Sequence, residues 1–136
     1  MLLDIDNTLL PRDTKIMPSD VLDWIELVKS LNIKVCLLSN NWHSEILEVA
    51  KSLDLPIVTH AVKPLPFAFL RARHIIGAKR KSTLVIGDQL FTDVLGAHFL
   101  AMKAYMTCPL AQKDLKHTLM LRRLEKFFMK KVAIYK

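Results

Sequence analysis

Two cysteines in 136 residues, Cys36 and Cys108, stand too far apart for a disulfide framework or a cysteine-based zinc motif. A reducing compartment is the default expectation for such a chain. No run of 18 apolar residues occurs, so no stretch is long enough to cross a bilayer as a helix. Met1, Leu2 and Leu3 are too few to form the apolar region of a signal peptide. These absences give an expected location in the cytoplasm or at a membrane periphery. His43, His60, His74 and His117 form no ligand cluster in the sequence, and Trp24 and Trp42 suggest packing or a rim contact. With only three glycines against 51% apolar residues, the composition fits a compact globular domain.

Charge is unevenly spread. From Gln112 to Lys136 there are eight Lys and Arg against two acids, so this segment carries +6 of the formal +7. Residues 1–111 are nearly neutral. The division predicts a core at 1–111 and a basic segment at 112–136.

The most informative stretch is Leu2 to Leu9, where Asp4 and Asp6 stand two apart directly after an apolar start. That is how two carboxylates would sit at the end of a buried strand. Like charges so close raise one pKa unless a cation lies between them. Magnesium suits the place, since it takes oxygen ligands and is usually held by one or two carboxylates together with substrate phosphate. One aspartate could attack phosphorus while the other serves the leaving group and then water. A polar turn after an edge strand would use the same residues.

Further along, strand and helix patterns alternate. Val21, Leu22, Ile25, Val28 and Leu31 recur at helical spacing after Pro18, and Asn32 closes that helix. Ile33 to Leu38 reads as a strand, Ser44 to Leu53 as a helix and Ile57 to Thr59 as a strand. A helix fenced by Pro64 and Pro66 carries Phe67, Leu70 and Ile75. Thr83 to Ile86 is a strand, Leu90 to Leu100 a helix and Ala104 to Met106 a last strand. Such alternation predicts an α/β fold, a parallel sheet of about five strands covered by helices on both faces.

In open α/β sheets ligands bind beyond the carboxyl ends of the strands. Asp4, Ser39 and Asp88 each end a predicted strand, and Lys63 lies just past another. Acids, a hydroxyl and a cation are thereby delivered to one rim. Asp93 would add a carboxylate at the next helix start, where it could equally complement the helix dipole. Lys63 taken alone would be an ordinary solvated loop cation.

Asp4-Ile-Asp-Asn-Thr8, Leu38-Ser39-Asn40-Asn41, Lys63-Pro64 and Gly87-Asp88 through Asp93 resemble the four ordered motifs of the haloacid dehalogenase (HAD) superfamily. Within it, Ser39-Asn40-Asn41, Ala61-Val62-Lys63-Pro64 and the run from Ile86 to Gly96 resemble the YqeG-type branch of subclass III, which is similar to mitochondrial phosphatidylglycerophosphate phosphatase. The resemblance implies a three-layer Rossmann-like core and a magnesium-dependent phosphatase. It implies Asp4 as nucleophile and Asp6 as general acid and base. Asp4, Asp88 and the Asp6 backbone carbonyl would hold magnesium. Thr8 would steady the aspartate pair and, with Ser39, Asn40 and Asn41, bound the phosphoryl subsite. Lys63 would bind the phosphoryl group, with Asp93 supporting it. Two departures stand out. Only three residues precede Asp4, as expected of a chain lacking an amino-terminal segment, and Ala97-His98-Phe99 replaces the Gly-Asn-Arg of that branch.

The 30 residues between Thr8 and Ser39 and the 23 between Ser39 and Lys63 are consumed by core elements, so neither interval predicts a cap domain. An uncapped site suits a phosphate displayed on something large. In the basic segment, Met120, Leu121, Leu124, Phe127 and Phe128 share one helical face, while Arg122, Lys126 and Lys130 step along another. That helix could lie on anionic lipid or dock on the core. Together these features favour phosphatidylglycerophosphate as substrate. Another phosphomonoester, or a non-catalytic module docking on RNA or membrane, are the alternatives.

Overall fold

The computed structural model describes residues 1–111; the basic segment, with its expected amphipathic helix and the boundary drawn at 112, lies outside the described residues. Along the chain run β1 (Leu2–Asp4), α1 (Ser19–Ser30), β2 (Cys36–Leu38), α2 (Ser44–Ser52), β3 (Ile57–Val58), α3 (Pro66–Ile75), β4 (Leu84–Gly87), α4 (Leu95–Phe99) and β5 (Lys103–Met106). The strands form one parallel sheet in the order β3-β2-β1-β4-β5. This is the sheet that the alternation predicts.

Side chains of successive strand residues point to opposite faces, so each of β1 to β4 feeds two cores. Leu2, Cys36, Leu38 and Val85 pack with Phe69 and Ala72 of α3 and Ala97 of α4. Leu3, Leu37 and Ile86 pack with Ile25 and Val28 of α1 and Ile46 of α2. Helix α1 stops where Asn32 turns left-handed at φ 56°, and its amide is taken up by the Lys29 carbonyl at 2.9 Å. Asparagine tolerates that conformation better than most residues. Among the described residues no helix is long and apolar enough to cross a membrane.

Two elements differ from their sequence patterns. Helix α3 turns Phe67, Leu70 and Ile75 outward and buries Ala68, Phe69 and Ala72 instead. The reason lies opposite it. A Cβ on Gly96 would come within 2.4 Å of the Phe69 ring, so the bare glycine lets α4 close over that ring, and the small alanines allow α3 to approach the sheet. The expected helix at Leu90 to Leu100 is also two pieces. Leu90–Val94 form a wide π-type turn, with the Val94 amide reaching the Gln89 carbonyl at 3.4 Å, and only then does α4 begin. Turns of this kind recur at functional sites.

Cys36 is fully buried in β2, and burial pushes its thiol up to about 11, whereas Cys108 is exposed. Since the thiolate is the reactive form, a disulfide-exchange reagent should titrate Cys108 promptly in native protein. Cys36 should react only after denaturant is added, so prompt labelling of both would contradict the burial of β2.

Candidate active site

The strand register brings the reactive groups together. Asp4 pairs with Leu38, and Leu3 with Ile86, so the carboxyl ends of β1, β2 and β4 lie level and release Asp4, Ser39 and Asp88 onto one rim. After β1 the chain coils tightly, with the amides of Thr8, Leu9 and Leu10 all directed at the Ile5 carbonyl. That coil returns the Thr8 hydroxyl to Asp4, where it donates to Oδ2 at 2.9 Å. Lys63 approaches from beyond β3. Its amide donates to Asn40 Oδ1 at 2.7 Å, and its ammonium donates to Asp4 Oδ1 and, at 2.7 Å, to Asp93 Oδ1.

Asp93 reaches this position through the wide turn. Its Oδ2 accepts from the Gln89 amide at 3.3 Å and the Thr92 hydroxyl at 3.2 Å. Beneath it Gly87 leaves room that a side chain would fill, since a Cβ there would stand 2.3 Å from Asp93 Cγ.

Asp4, Asp88 and Asp93 are all buried, and each offers an oxygen within 4.8 Å of the others. Lys63, 8% exposed, is the cation among them. Burial raises the Asp4 pKa most strongly, Asp93 and Asp88 raise it further, and Lys63 opposes them without prevailing. For Lys63, burial alone would lower the pKa, but Asp4 and Asp93 outweigh it and hold the ammonium charged. Three carboxylates against one ammonium leave an excess of buried negative charge. Closely set hard oxygen donors with unbalanced charge fit a hard divalent cation.

Asp6 stands apart from that trio. It is half-buried, and its Oδ2 accepts the Ser39 hydroxyl at 2.9 Å, while Ser39 Oγ itself accepts the Asn41 amide at 2.9 Å. Asn41 Oδ1 accepts the amides of Trp42 and His43 at the entry to α2, and Asn40 positions Lys63. Thus Thr8, Ser39 and Asn40 are engaged with protein groups around the carboxylates, whereas Asp4, Asp6, Lys63, Asn40 and Asn41 also line an open cleft of about 550 Å³.

Sequence reasoning passed over several cleft residues. Arg12 and Lys15 line its outer wall, with Lys15 held by Glu45 at 2.6 Å, beside Trp42, for which the sequence suggests packing or a rim contact. Trp42 is stacked on His60, the ring centroids 4.9 Å apart and the planes 12° from parallel. Nothing local in the sequence signals that pair. Asn7 was likewise silent in the sequence. It is wholly buried, and its side chain exchanges two hydrogen bonds with the backbone of Ala111, at 2.7 and 3.1 Å.

Comparison with known proteins bears on the family and the fold. A family model described as HAD-hydrolase-like matches residues 60–107. The chain is 34% identical over 114 residues to "Probable phosphatase YqeG" of Bacillus subtilis (strain 168), covering 84% of this chain. It spans 66% of that relative's length, just under two thirds. Among solved structures, an uncharacterized protein from Listeria monocytogenes serotype 4b superposes with a TM-score of 0.65 at 16% identity, over 90% of this chain and 97% of that one. A HAD phosphatase from Thermococcus onnurineus superposes with a TM-score of 0.62 at 21% identity, over 74% of this chain and 50% of the other. These two likenesses speak to the fold.

Two substitutions probe the charge balance. With divalent cations chelated, Asp4 has a folded pKa raised above its unfolded value of 3.8, so the stability it contributes is present at acid pH and is lost as pH rises through neutrality. Lys63→Met should deepen that loss, costing about 3–5 kcal/mol in urea unfolding at pH 8 and clearly less at pH 5. Equal cost at both pH values would argue against uncompensated carboxylates. Gly87→Ala should cost about 1–3 kcal/mol by driving Asp93 away from Lys63, and an unchanged urea midpoint would contradict that contact.

Proposed function

We propose that the chain is a member of the haloacid dehalogenase superfamily, in the YqeG-type branch, and a magnesium-dependent phosphomonoester hydrolase working through an aspartyl-phosphate on Asp4, with phosphatidylglycerophosphate as substrate. The observation that carries this reading is the setting of Asp4. It ends the central strand at the floor of an open cleft, bonded at Oδ1 by Lys63 and at Oδ2 by Thr8, with two further buried carboxylates alongside.

Asp4 and Asp88, with the backbone carbonyl of Asp6, would hold magnesium, which when bound neutralises charge on the phosphate and favours the ionised form of Asp4. A carboxylate oxygen of Asp4 attacks phosphorus as the bond to the leaving oxygen breaks, and Asp6 supplies that oxygen with a proton. Asp6 then takes a proton from water, whose oxygen attacks the phosphorus, and inorganic phosphate departs from a regenerated Asp4. Ser39 orients Asp6 through its hydroxyl. Lys63 stands by both the nucleophile and the incoming charge, tied in place by Asp93.

Several features support a lipid phosphate. The cleft opens without a covering domain among the described residues, and Arg12 and Lys15 stand at its outer wall beside an exposed Trp42. A phosphate anchored in a bilayer interface needs such access, and the basic segment 112–136 would favour an anionic surface.

Phosphate release from phosphatidylglycerophosphate in mixed micelles should require magnesium and exceed release from a soluble aryl phosphate. Asp4→Asn should lower it by about a thousandfold or more with the fold retained. Turnover of the aryl phosphate alone would discard the lipid while keeping the chemistry, and full activity in Asp4→Asn would remove the nucleophile.

A further inference from the structure

Four residues with left-handed backbone, Asn32, Asp54, Gly77 and Ala101, each stand two past the end of a helix, where that conformation commonly closes the last turn. His60 and Val62 do not. With φ 50° and 47° they flank Ala61 on the short arch between β3 and Lys63. For a β-branched residue such as Val62 this is a true outlier, and its side chain is 60% exposed, so burial of the valine does not offset the strain.

Strain of this kind persists only where the surroundings over-determine it. The grip on the arch comes from the run Ser39 to Trp42 after β2. The Ser39 carbonyl accepts the Ala61 amide at 3.0 Å, Asn40 Oδ1 accepts the Lys63 amide at 2.7 Å, and the Trp42 indole stacks on the His60 ring. Asn41 Oδ1 accepts the Trp42 amide at 2.7 Å, so the indole is carried on a fixed turn. The two amide bonds hold Ala61 and Lys63, while the strained His60 is gripped through its ring.

We propose that His60 and Trp42 are positioning residues: their stack keeps the arch left-handed, and the arch sets the Lys63 ammonium between Asp4 and Asp93. Lys63 lies three residues past His60 and bonds two carboxylates at once, so a backbone that relaxed at His60 would carry Nζ away from one or both. A displacement on the order of 1 Å is enough to cost much of a reaction rate. For its effect on turnover the inference rests on the hydrolase reading above. His60 stands outside the cleft lining, whereas Trp42 is part of it, so substitutions at His60 separate positioning from substrate contact.

The first test needs no turnover. His60→Asn keeps a residue that tolerates the left-handed conformation and removes the ring. In urea unfolding at pH 8 it should lower the midpoint, and in a Lys63→Met background that drop should shrink to about half or less, since the arch then has no ammonium to place. Equal drops in the two backgrounds would overturn the proposal. Val62→Gly should raise the midpoint, because glycine takes this conformation without strain, and a lowered midpoint would show that the arch is not strained. Protection of Cys36 from a thiol reagent would show that each variant is folded.

The second test uses phosphatidylglycerophosphate or the aryl phosphate, whichever the wild type hydrolyses faster with magnesium. His60→Asn should lower kcat about tenfold and change KM by less than about twofold. His60→Phe, which returns a ring to Trp42, should recover most of the lost kcat. A raised KM with unchanged kcat, or no recovery with phenylalanine, would overturn the positioning role. If the wild type hydrolyses neither compound, the hydrolase reading fails, and the coupling of the urea midpoints still decides whether the stack places Lys63.

Discussion

An ammonium buried among carboxylates is held only where its hydrogens have partners and its position is fixed from outside the ion pair. Lys63 meets both conditions. Its Nζ bonds Asp4 and Asp93 while its own amide is held by Asn40, so side chain and backbone are anchored from three different elements. Much of the surrounding architecture reads as provision for this contact. Level strand ends present Asp4 and Asp88, Gly87 leaves the volume that Asp93 occupies, and the wide turn sets the reach of Asp93. Removing water from such groups is costly, and their mutual geometry offsets that cost only when it is good.

Charge and shape divide the labour around the cleft. The floor is rigid and acidic because its groups come from strand ends in a packed sheet. The outer wall is cationic and aromatic, built from the loop before α1 and the entry to α2. Residues on such loops vary without disturbing the sheet, so the floor fixes a reaction while the wall can be tuned to what carries the phosphate. Trp42 belongs to that wall, and His60 stacks on it from the loop after β3.

Much of this was legible in the sequence because the parallel sheet writes its periodicity plainly. Strands buried on both faces are apolar throughout, and polar residues at their ends stand out against them. Legibility failed where packing, not periodicity, chose the face. In α3 the large Phe67 and Ile75 satisfy a helical pattern, yet Ala68 and Ala72 are the residues that permit close approach. At Leu90–Val94 the turn widens to place Asp93, which apolar spacing does not record. The Asn7 clamp and the Trp42–His60 stack join residues remote in sequence, and no local signal marks them.

The central place of β1 bears on how the site comes into being. Strand β1 precedes in sequence both of its neighbours, and the second of these, β4, lies more than half the chain away. Contacts of such separation carry the loop-closure entropy of all the chain between them. A chain extended only as far as α3 would hold Asp4 and Lys63 but lack Asp88 and Asp93. The acidic trio thus exists only where β1 lies beside β4, and every carboxylate in it depends on that one long-range pairing.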